Sequence, residues 1–97
     1  MPFKQQQPRI YTRTNVEMFN PGQIGVYGLL KQGRWVEWIY VGKGDIRQRL
    51  LDHLNGDNPC ITKSGPTHWV AEVTGDYDNR EKTLIVELDP TCNQKVG

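Results

Sequence analysis

The chain has 97 residues and a mass of 11.2 kDa, which leaves room for a single domain because so short a chain cannot bury a second core. Three Trp, four Tyr and two Phe, with 36% hydrophobic residues, exclude a disordered chain. Residues 1–43 carry six Lys or Arg against two acids, whereas residues 55–97 carry four against seven. The basic half suits a phosphate-binding surface, and scattered surface charge is the alternative explanation.

In chain order, the first 23 residues show no sustained hydrophobic period and contain Pro8, Pro21 and Gly22. We interpret residues 1–23 as a partly disordered arm and residues 24–97 as the single domain. Residues 24–30 and 35–41 are rich in β-forming side chains around a Gly-containing turn, which predicts a β-hairpin. The predicted domain therefore begins with this hairpin, at residue 24.

The remaining segments predict a helix, a strand and a second helix. Asp45 and Gln48 form a capping-box pattern ahead of a helical apolar stripe at Ile46, Leu50 and Leu54. Residues 55–66 are expected to form a loop with at most one helical turn, and residues 67–73 alternate as a third strand. A last helix is expected to run from an Asp78 cap to Leu88, ahead of Pro90. The predicted fold is α+β, with order ββαβα and a three-stranded antiparallel sheet flanked by helices.

The hairpin turn predicts which residues face each other. With Gly33 and Arg34 as a two-residue loop, Tyr27 pairs with Tyr40 and Gly25 pairs with Gly42. The two phenols would be neighbours on one face, beside a patch without side chains that a substrate backbone could approach. The alternative is that the glycines make room for a helix and the tyrosines are half-buried strand residues.

The cysteines and the apolar runs bear on the compartment. Cys60 and Cys92 lie 32 positions apart without a CxxC pairing, and the two histidines complete no zinc-ligand spacing. We expect reduced thiols, although one disulfide is possible. No apolar run approaches the roughly 20 residues of a membrane span. A soluble, cytoplasmic protein without a membrane partner is the expectation.

Two triplets in the hairpin carry a resemblance to a known family. Gly25-Val26-Tyr27 and Tyr40-Val41-Gly42 resemble the paired triplets of the GIY-YIG nucleases, with Val for the central Ile in both. The continuation is similar as well, at positions that the family also marks: Arg49, His53, Glu81, Leu84, Ile85, Pro90 and Asn93. The likeness spans residues 24–93. Because the connection to the helix is one residue shorter than usual, Arg47 is a second claimant to the role of Arg49.

The resemblance implies a metal-dependent DNA endonuclease with a single active site. It implies Tyr27 as general base or water-orienting phenol, Tyr40 as a positioning residue and Arg49 as the phosphate-binding cation. A phenol with a pKa near 10 is a poor base unless cations lower that pKa, and Lys43 and Arg49 are the cations available. His53 is a site candidate, or a histidine bonded to a local carbonyl.

The metal and the substrate contacts complete the predicted site. Glu81 is the expected ligand of Mg²⁺ or Mn²⁺, since magnesium is held by one or two carboxylates with water and phosphate oxygens. Its alternative role is as capping-box partner of Asp78. Lys43 is a candidate phosphate contact or a solvated side chain, and the predicted substrate-binding residues are Gly25, Gly42, Lys43 and Asn93.

Two other functions share these features. One is a catalytically silent module of the same family that binds nucleic acid or protein, and the other is a nuclease that acts on RNA. A net charge of +1 gives little non-specific attraction to DNA. We therefore expect a protein partner or self-association to direct the chain to its target.

Overall fold

The computed structural model describes residues 2–4 and 7–93. The last four residues of the predicted domain, 94–97, and two glutamines of the predicted arm, at positions 5 and 6, lie outside the described residues. The strands and helices are, in chain order, β1 (Arg9–Ile10), α1 (Arg13–Glu17), β2 (Ile24–Gln32), β3 (Val36–Asp45), α2 (Ile46–Leu54), α3 (Pro59–Ser64), β4 (His68–Val73) and α4 (Tyr77–Leu88).

All strand pairs are antiparallel, and the sheet order is β1-β4-β2-β3. The α+β class is confirmed, but the three-stranded sheet and the ββαβα order are corrected to four strands with two additional helices, α1 and α3. The fourth strand was missed because β1 has only two residues and pairs through Arg9 with Trp69 and through Ile10 with His68. So short a strand has no periodicity of its own.

The two faces of the sheet carry two separate clusters of apolar side chains. The cluster beneath α1, α2 and α3 is built from Val16, Tyr27, Leu29, Ile39, Ile46, Leu50, Ile61, Trp69, Ala71 and Cys92. The cluster beneath α4 is built from Phe3, Val26, Leu30, Val41, Val70 and Leu84. Phe3 and Val16, both from the segment predicted as an arm, are fully buried. The first 23 residues therefore contribute to both cores.

The register of the hairpin differs from the predicted one. Tyr27 pairs with Gly42, Leu29 with Tyr40 and Gly25 with Gly44, and the register shifts between Leu29 and Leu30. The connection is three residues long, because Gln32 pairs with Val36. The prediction that Tyr27 lies directly opposite Tyr40, and Gly25 opposite Gly42, is wrong because it assumed a two-residue turn and no bulge.

Helix boundaries confirm one predicted cap and correct another. The Asp45 side chain accepts a hydrogen bond from the Gln48 N–H at 3.1 Å, so the α2 cap is confirmed. Helix α4 begins at Tyr77, after Asp76, so Asp78 lies inside the helix and is not its cap. Its carboxylate instead contacts Lys43. Glu81 is consequently not the partner of a capping box.

Cys60 and Cys92 form a disulfide between α3 and the segment after α4. The expectation of reduced thiols is therefore wrong; a separation of 32 residues gave no sign that the fold would bring the two side chains together. Disulfides are typical of oxidising compartments, and the cytoplasmic location stays a prediction. Within the described part of the chain, no helix combines the length and apolarity that crossing a membrane would require.

Candidate active site

Both tyrosines of the predicted site lie on one face of the sheet, because Tyr27 pairs with Gly42, two positions from Tyr40, and a bulge in β3 directs Ile39 to the same face. Tyr40 pairs with Leu29 and Trp38 with Leu30, so Ile39 is the extra residue between them. As a result Ile39 and Tyr40 both contribute to the cluster beneath α2, because a bulge redirects neighbouring side chains. The rings of Tyr27 and Tyr40 are 6.2 Å apart between centroids.

His53, on the last turn of α2, links Tyr27 to an aspartate. Its side chain is buried, with Nε2 lying 2.8 Å from Tyr27 Oη and Nδ1 lying 2.8 Å from Asp57 Oδ1. An ionised carboxylate only accepts hydrogen bonds, so the network assigns the proton to Nδ1 and leaves Nε2 to accept from the phenol. The three residues form a continuous chain of hydrogen bonds from Asp57 through His53 to Tyr27.

Asp57 is a site residue that the sequence reasoning missed. It lies just beyond α2, four positions after His53, and its side chain is 37% exposed. Four-residue spacing places side chains together on a helix, and this was the available signal. It was missed because residues 55–66 were interpreted as a loop with at most one helical turn.

Arg49 lies on the same flank of α2 as His53. Its Nη1 atom is 3.2 Å from Asp52 Oδ2 and 3.7 Å from Asp57 Oδ2. The same guanidinium is close enough to both phenols to lower their pKa values by its charge and by hydrogen bonding. The Nε atom of Arg47, by comparison, is buried and has no hydrogen-bond partner among the residues that the structure describes.

Burial decides the protonation states of these groups. Removal from water raises the pKa of Tyr27 well above its ordinary value, and the opposing effect of Arg49 does not reverse this. The pKa of Tyr40 is also raised by burial, with a contribution from the Glu81 carboxylate. Burial lowers the pKa of His53 although Asp57 opposes the change. At neutral pH the site therefore contains two protonated phenols and a neutral imidazole.

Lys43 does not help to lower the Tyr27 pKa, because its ammonium lies with two carboxylates of α4. Lys43 Nζ forms an ion pair with Asp78 and is 3.7 Å from Glu81 Oε1. The Glu81 side chain is only 20% exposed, which agrees with the predicted inward direction. A positive charge thus already lies beside Glu81, the residue that the sequence predicts as the metal ligand.

The remaining predicted contacts, Gly25, Gly42 and Asn93, serve the packing of the sheet. A Cβ at Gly25 would collide with the backbone of β4, 2.9 Å from the Val73 Cα, and one at Gly42 would collide with the Tyr27 phenol. The Asn93 amide accepts from the Val41 N–H and donates to the Val41 carbonyl, both at 2.8 Å. Their substrate-binding roles stay predictions.

An open cavity of about 560 Å³ adjoins the site on the Tyr40 side. Its lining is mainly polar and comes from β3, α3 and the segment after α4: Tyr40, Asn58, Cys60, Thr91, Cys92 and Asn93. The site therefore opens to solvent at Tyr40, beside the edge strand β3.

Two further findings bear on function. Among residues 2–4 and 7–93 there is no group of three or more His, Cys, Asp or Glu side chains arranged to hold a metal ion. Comparison of the chain with protein-family models, with curated proteins and with solved structures finds no match.

Proposed function

We propose that the protein is a metal-dependent endonuclease of the GIY-YIG type that hydrolyses phosphodiester bonds in DNA. The observation that carries the proposal is the hydrogen-bonded chain Asp57–His53–Tyr27 with Arg49 beside it. The Arg49 guanidinium lies 3.7 Å from Asp57 and acts to lower the Tyr27 pKa. A base coupled to a phenol, next to a cation, supplies two of the groups that phosphodiester hydrolysis requires. The resemblance of the two triplets points to the same reaction.

Proton transfer follows from the protonation states in the chain. Tyr27 does not start as a phenolate, because burial raises its pKa. It can accept a proton from an attacking water only as it passes its own proton to His53 Nε2, 2.8 Å away. Asp57 stabilises the imidazolium that forms. In this proposal Tyr27, which is fully buried in the free protein, contacts the water, and His53 receives the proton.

Arg49, on α2, and Tyr40, on β3, lie close to each other at the candidate site. Arg49 is 38% exposed, so a phosphate oxygen can reach its guanidinium and exchange for Asp52 or Asp57. Bidentate bonds from arginine suit the charge that builds up on a phosphate during displacement. Tyr40, edge-on to His53 with centroids 5.1 Å apart, holds the imidazole in place.

The carboxylates of α4 fit a divalent cation with few protein ligands. Glu81 and Asp78 present hard oxygen donors and already attract the Lys43 ammonium, and Mg²⁺ is commonly held by one or two carboxylates with water and phosphate. Glu81 and Asp78 would hold the ion. When bound, it supplies Lewis-acid stabilisation of charge on the phosphate oxygens.

A catalytically silent binding module is the second candidate, favoured by one observation. The Lys43 ammonium forms an ion pair with Asp78 and lies 3.7 Å from Glu81, so it offsets one of their two negative charges. A module that performs no chemistry would keep such an ion pair. The two candidates differ in whether Glu81 is needed for turnover or only for the local ion pair.

The deciding experiment is incubation of the purified protein with labelled single-stranded, duplex and branched DNA in Mg²⁺, Mn²⁺ or excess chelator. Glu81→Gln should abolish metal-dependent cleavage and retain the fold. Glu87→Gln, on the exposed surface of the same helix, is the matched control and should cleave normally. Cleavage that survives chelation, or that is unchanged in Glu81→Gln, contradicts the proposal.

A further inference from the structure

The tip of the β2–β3 hairpin extends beyond the rest of the sheet. The last pair between β2 and β4 is Leu30 with His68, whereas the β2–β3 ladder continues to Gln32 with Val36. All seven residues from 31 to 37, which we call the hairpin tip, are exposed. The hairpin tip is therefore a two-stranded projection with solvent on both faces.

Trp35 is a large aromatic side chain of the hairpin tip that is exposed to solvent. It is 79% exposed, whereas Trp69 is 1% exposed and Trp38 stacks on Phe3 with ring centroids 5.7 Å apart. Its neighbour Val36 is 56% exposed. A tryptophan held this far out of a core is well placed to stack on a ligand, because its large flat face contributes most when it is covered.

The charges around Trp35 indicate the ligand. Lys31 and Arg34 are exposed cations of the hairpin tip, and its one acid, Glu37, accepts a hydrogen bond from the Thr91 hydroxyl at 3.1 Å. Neither cation pairs with an acid within residues 2–4 and 7–93, so both can bind phosphates, while Glu37 is bonded to the segment after α4. An aromatic face between cations is the combination that binds single-stranded nucleic acid.

We propose that the hairpin tip is a binding site for single-stranded DNA, with a base stacked on Trp35 and flanking phosphates on Arg34 and Lys31. Only an unpaired base offers its face to a side chain, which favours a single strand over a duplex. The choice of DNA as the polymer rests on the proposed function.

The position of the hairpin tip relative to the candidate active site sets the length of DNA that both can bind. Tyr40 lies five residues after Trp35, the last residue of the turn, so the two are at most about 17 Å apart along the chain. This corresponds to about five phosphates at the 3.4 Å spacing of one strand of duplex DNA, and to fewer in an extended strand. One strand can therefore contact Trp35 and the site at once, with the stacked base several nucleotides from the bond that is cut.

The test is equilibrium binding of a fluorescein-labelled 12-nucleotide oligothymidine, followed by anisotropy and by quenching of tryptophan fluorescence. Trp35→Ala should raise the Kd about tenfold, since stacking of a base on an aromatic ring is lost. Trp35→Phe should keep the Kd within about threefold of wild type. Val86→Ala is the matched control, because Val86 is 84% exposed on α4, and it should leave the Kd unchanged. Lys31→Ala with Arg34→Ala should weaken binding and reduce its dependence on salt.

The outcomes separate this inference from the proposed function. No binding by the wild type, or an unchanged Kd in Trp35→Ala, overturns the inference even if DNA is cleaved. An equal effect of Trp35→Ala on a 12-base-pair duplex overturns the assignment to single strands. If wild type binds through Trp35 but cleaves no DNA with any metal, the inference stands and the proposed function fails.

Discussion

The phenol of Tyr27 lies over Gly42, its partner across the β2–β3 ladder, in the space that a side chain at position 42 would occupy. This contact directs the Tyr27 hydroxyl to His53 Nε2. Gly42 is thus required by the geometry of the hydrogen-bonded chain, because any Cβ there displaces the ring that completes it.

Gly42→Ala should therefore disturb the site as well as the fold. The added methyl meets the Tyr27 ring and lies 2.8 Å from Tyr40, and overpacking of this kind costs about 1–3 kcal/mol. We expect a lower free energy of unfolding in urea and loss of the Tyr27–His53 bond, seen as a changed His53 pKa by NMR. Gly33→Ala is the control, since nothing lies within 4 Å of a Cβ there. Equal stability of the two variants would contradict the packing argument.

The hairpin shows what sequence periodicity can and cannot supply. The alternation of strand residues correctly places Tyr27 and Tyr40 on one face, and a register error of two positions leaves that unchanged. The three-residue turn was not predictable because it lies in the exposed hairpin tip, where no core contact marks its length, and the bulge at Ile39 has no sequence period of its own. The two-residue strand β1 and the buried Phe3 were not predicted because tertiary contacts hold them in place.

Asp57→Asn tests the hydrogen-bonded chain through its dependence on pH. Removal of the charge lowers the His53 pKa further, because Asp57 favours the imidazolium. The rate of cleavage should fall by about tenfold or more with the loss of a bond to a charged group. The acid limb of the pH–rate profile should shift to lower pH. Asp76→Asn, at the exposed start of α4, is the control; a rate loss without any shift of the acid limb would contradict the role.

The His53 pKa also predicts the effect of acid on stability. Because burial lowers this pKa below its unfolded value of about 6.5, the unfolded chain binds more protons below that pH. The contribution of neutral His53 to the free energy of unfolding is present above pH 6.5 and is lost as the pH falls towards the pKa of His53 in the folded protein. Between pH 8 and pH 5, the melting temperature should fall more steeply with decreasing pH in the wild type than in His53→Gln. Parallel curves would show that His53 titrates normally.

The Cys60–Cys92 disulfide should make a large contribution to stability. It closes a loop with a separation of 32 residues, for which the loss of unfolded-state entropy corresponds to about 4 kcal/mol. It also holds the segment that bonds β3 through Cys92 N and the Asn93 amide. The midpoint of urea unfolding should shift to a lower urea concentration when dithiothreitol reduces the disulfide. The variant with Cys60→Ser and Cys92→Ser should be less stable and insensitive to the reductant.

The candidate site was predictable where residues share an element and less so where elements meet. Arg49 and His53 were placed on one flank of α2 by helical spacing, and the inward direction of Glu81 followed from its position on α4. The pairing of Lys43 with Asp78 was not foreseen, because it joins a strand to a helix 35 positions away. The raised pKa of Tyr27 also depends on burial that only the folded chain creates.

Lys43→Gln should strengthen the binding of a divalent cation. Its ammonium competes for Asp78 and Glu81, so its removal leaves two carboxylates without a neutralising charge. The Kd for Mn²⁺, measured by calorimetry, should decrease relative to wild type. Lys63→Gln, on the exposed last turn of α3, is the control and should leave the Kd unchanged. A weaker Mn²⁺ affinity in Lys43→Gln would contradict the assignment of these carboxylates to a metal.

Arg49→Lys and Arg47→Lys are a matched pair, because both retain the charge and both positions lie on α2. Arg49 affects the pKa values of both phenols and lies 3.7 Å from Asp57, so its guanidinium is at the centre of the proposed site. Lysine cannot form the two parallel bonds that arginine makes to a phosphate. Arg49→Lys should therefore reduce the rate of DNA cleavage at least about tenfold, with little change in thermal stability. Arg47→Lys should cleave at nearly the wild-type rate, since the buried Nε of Arg47 has no hydrogen-bond partner to lose in the described part of the chain. A reversal of the two results would assign the phosphate contact to Arg47, and equal rates in both would remove a bidentate arginine from the mechanism.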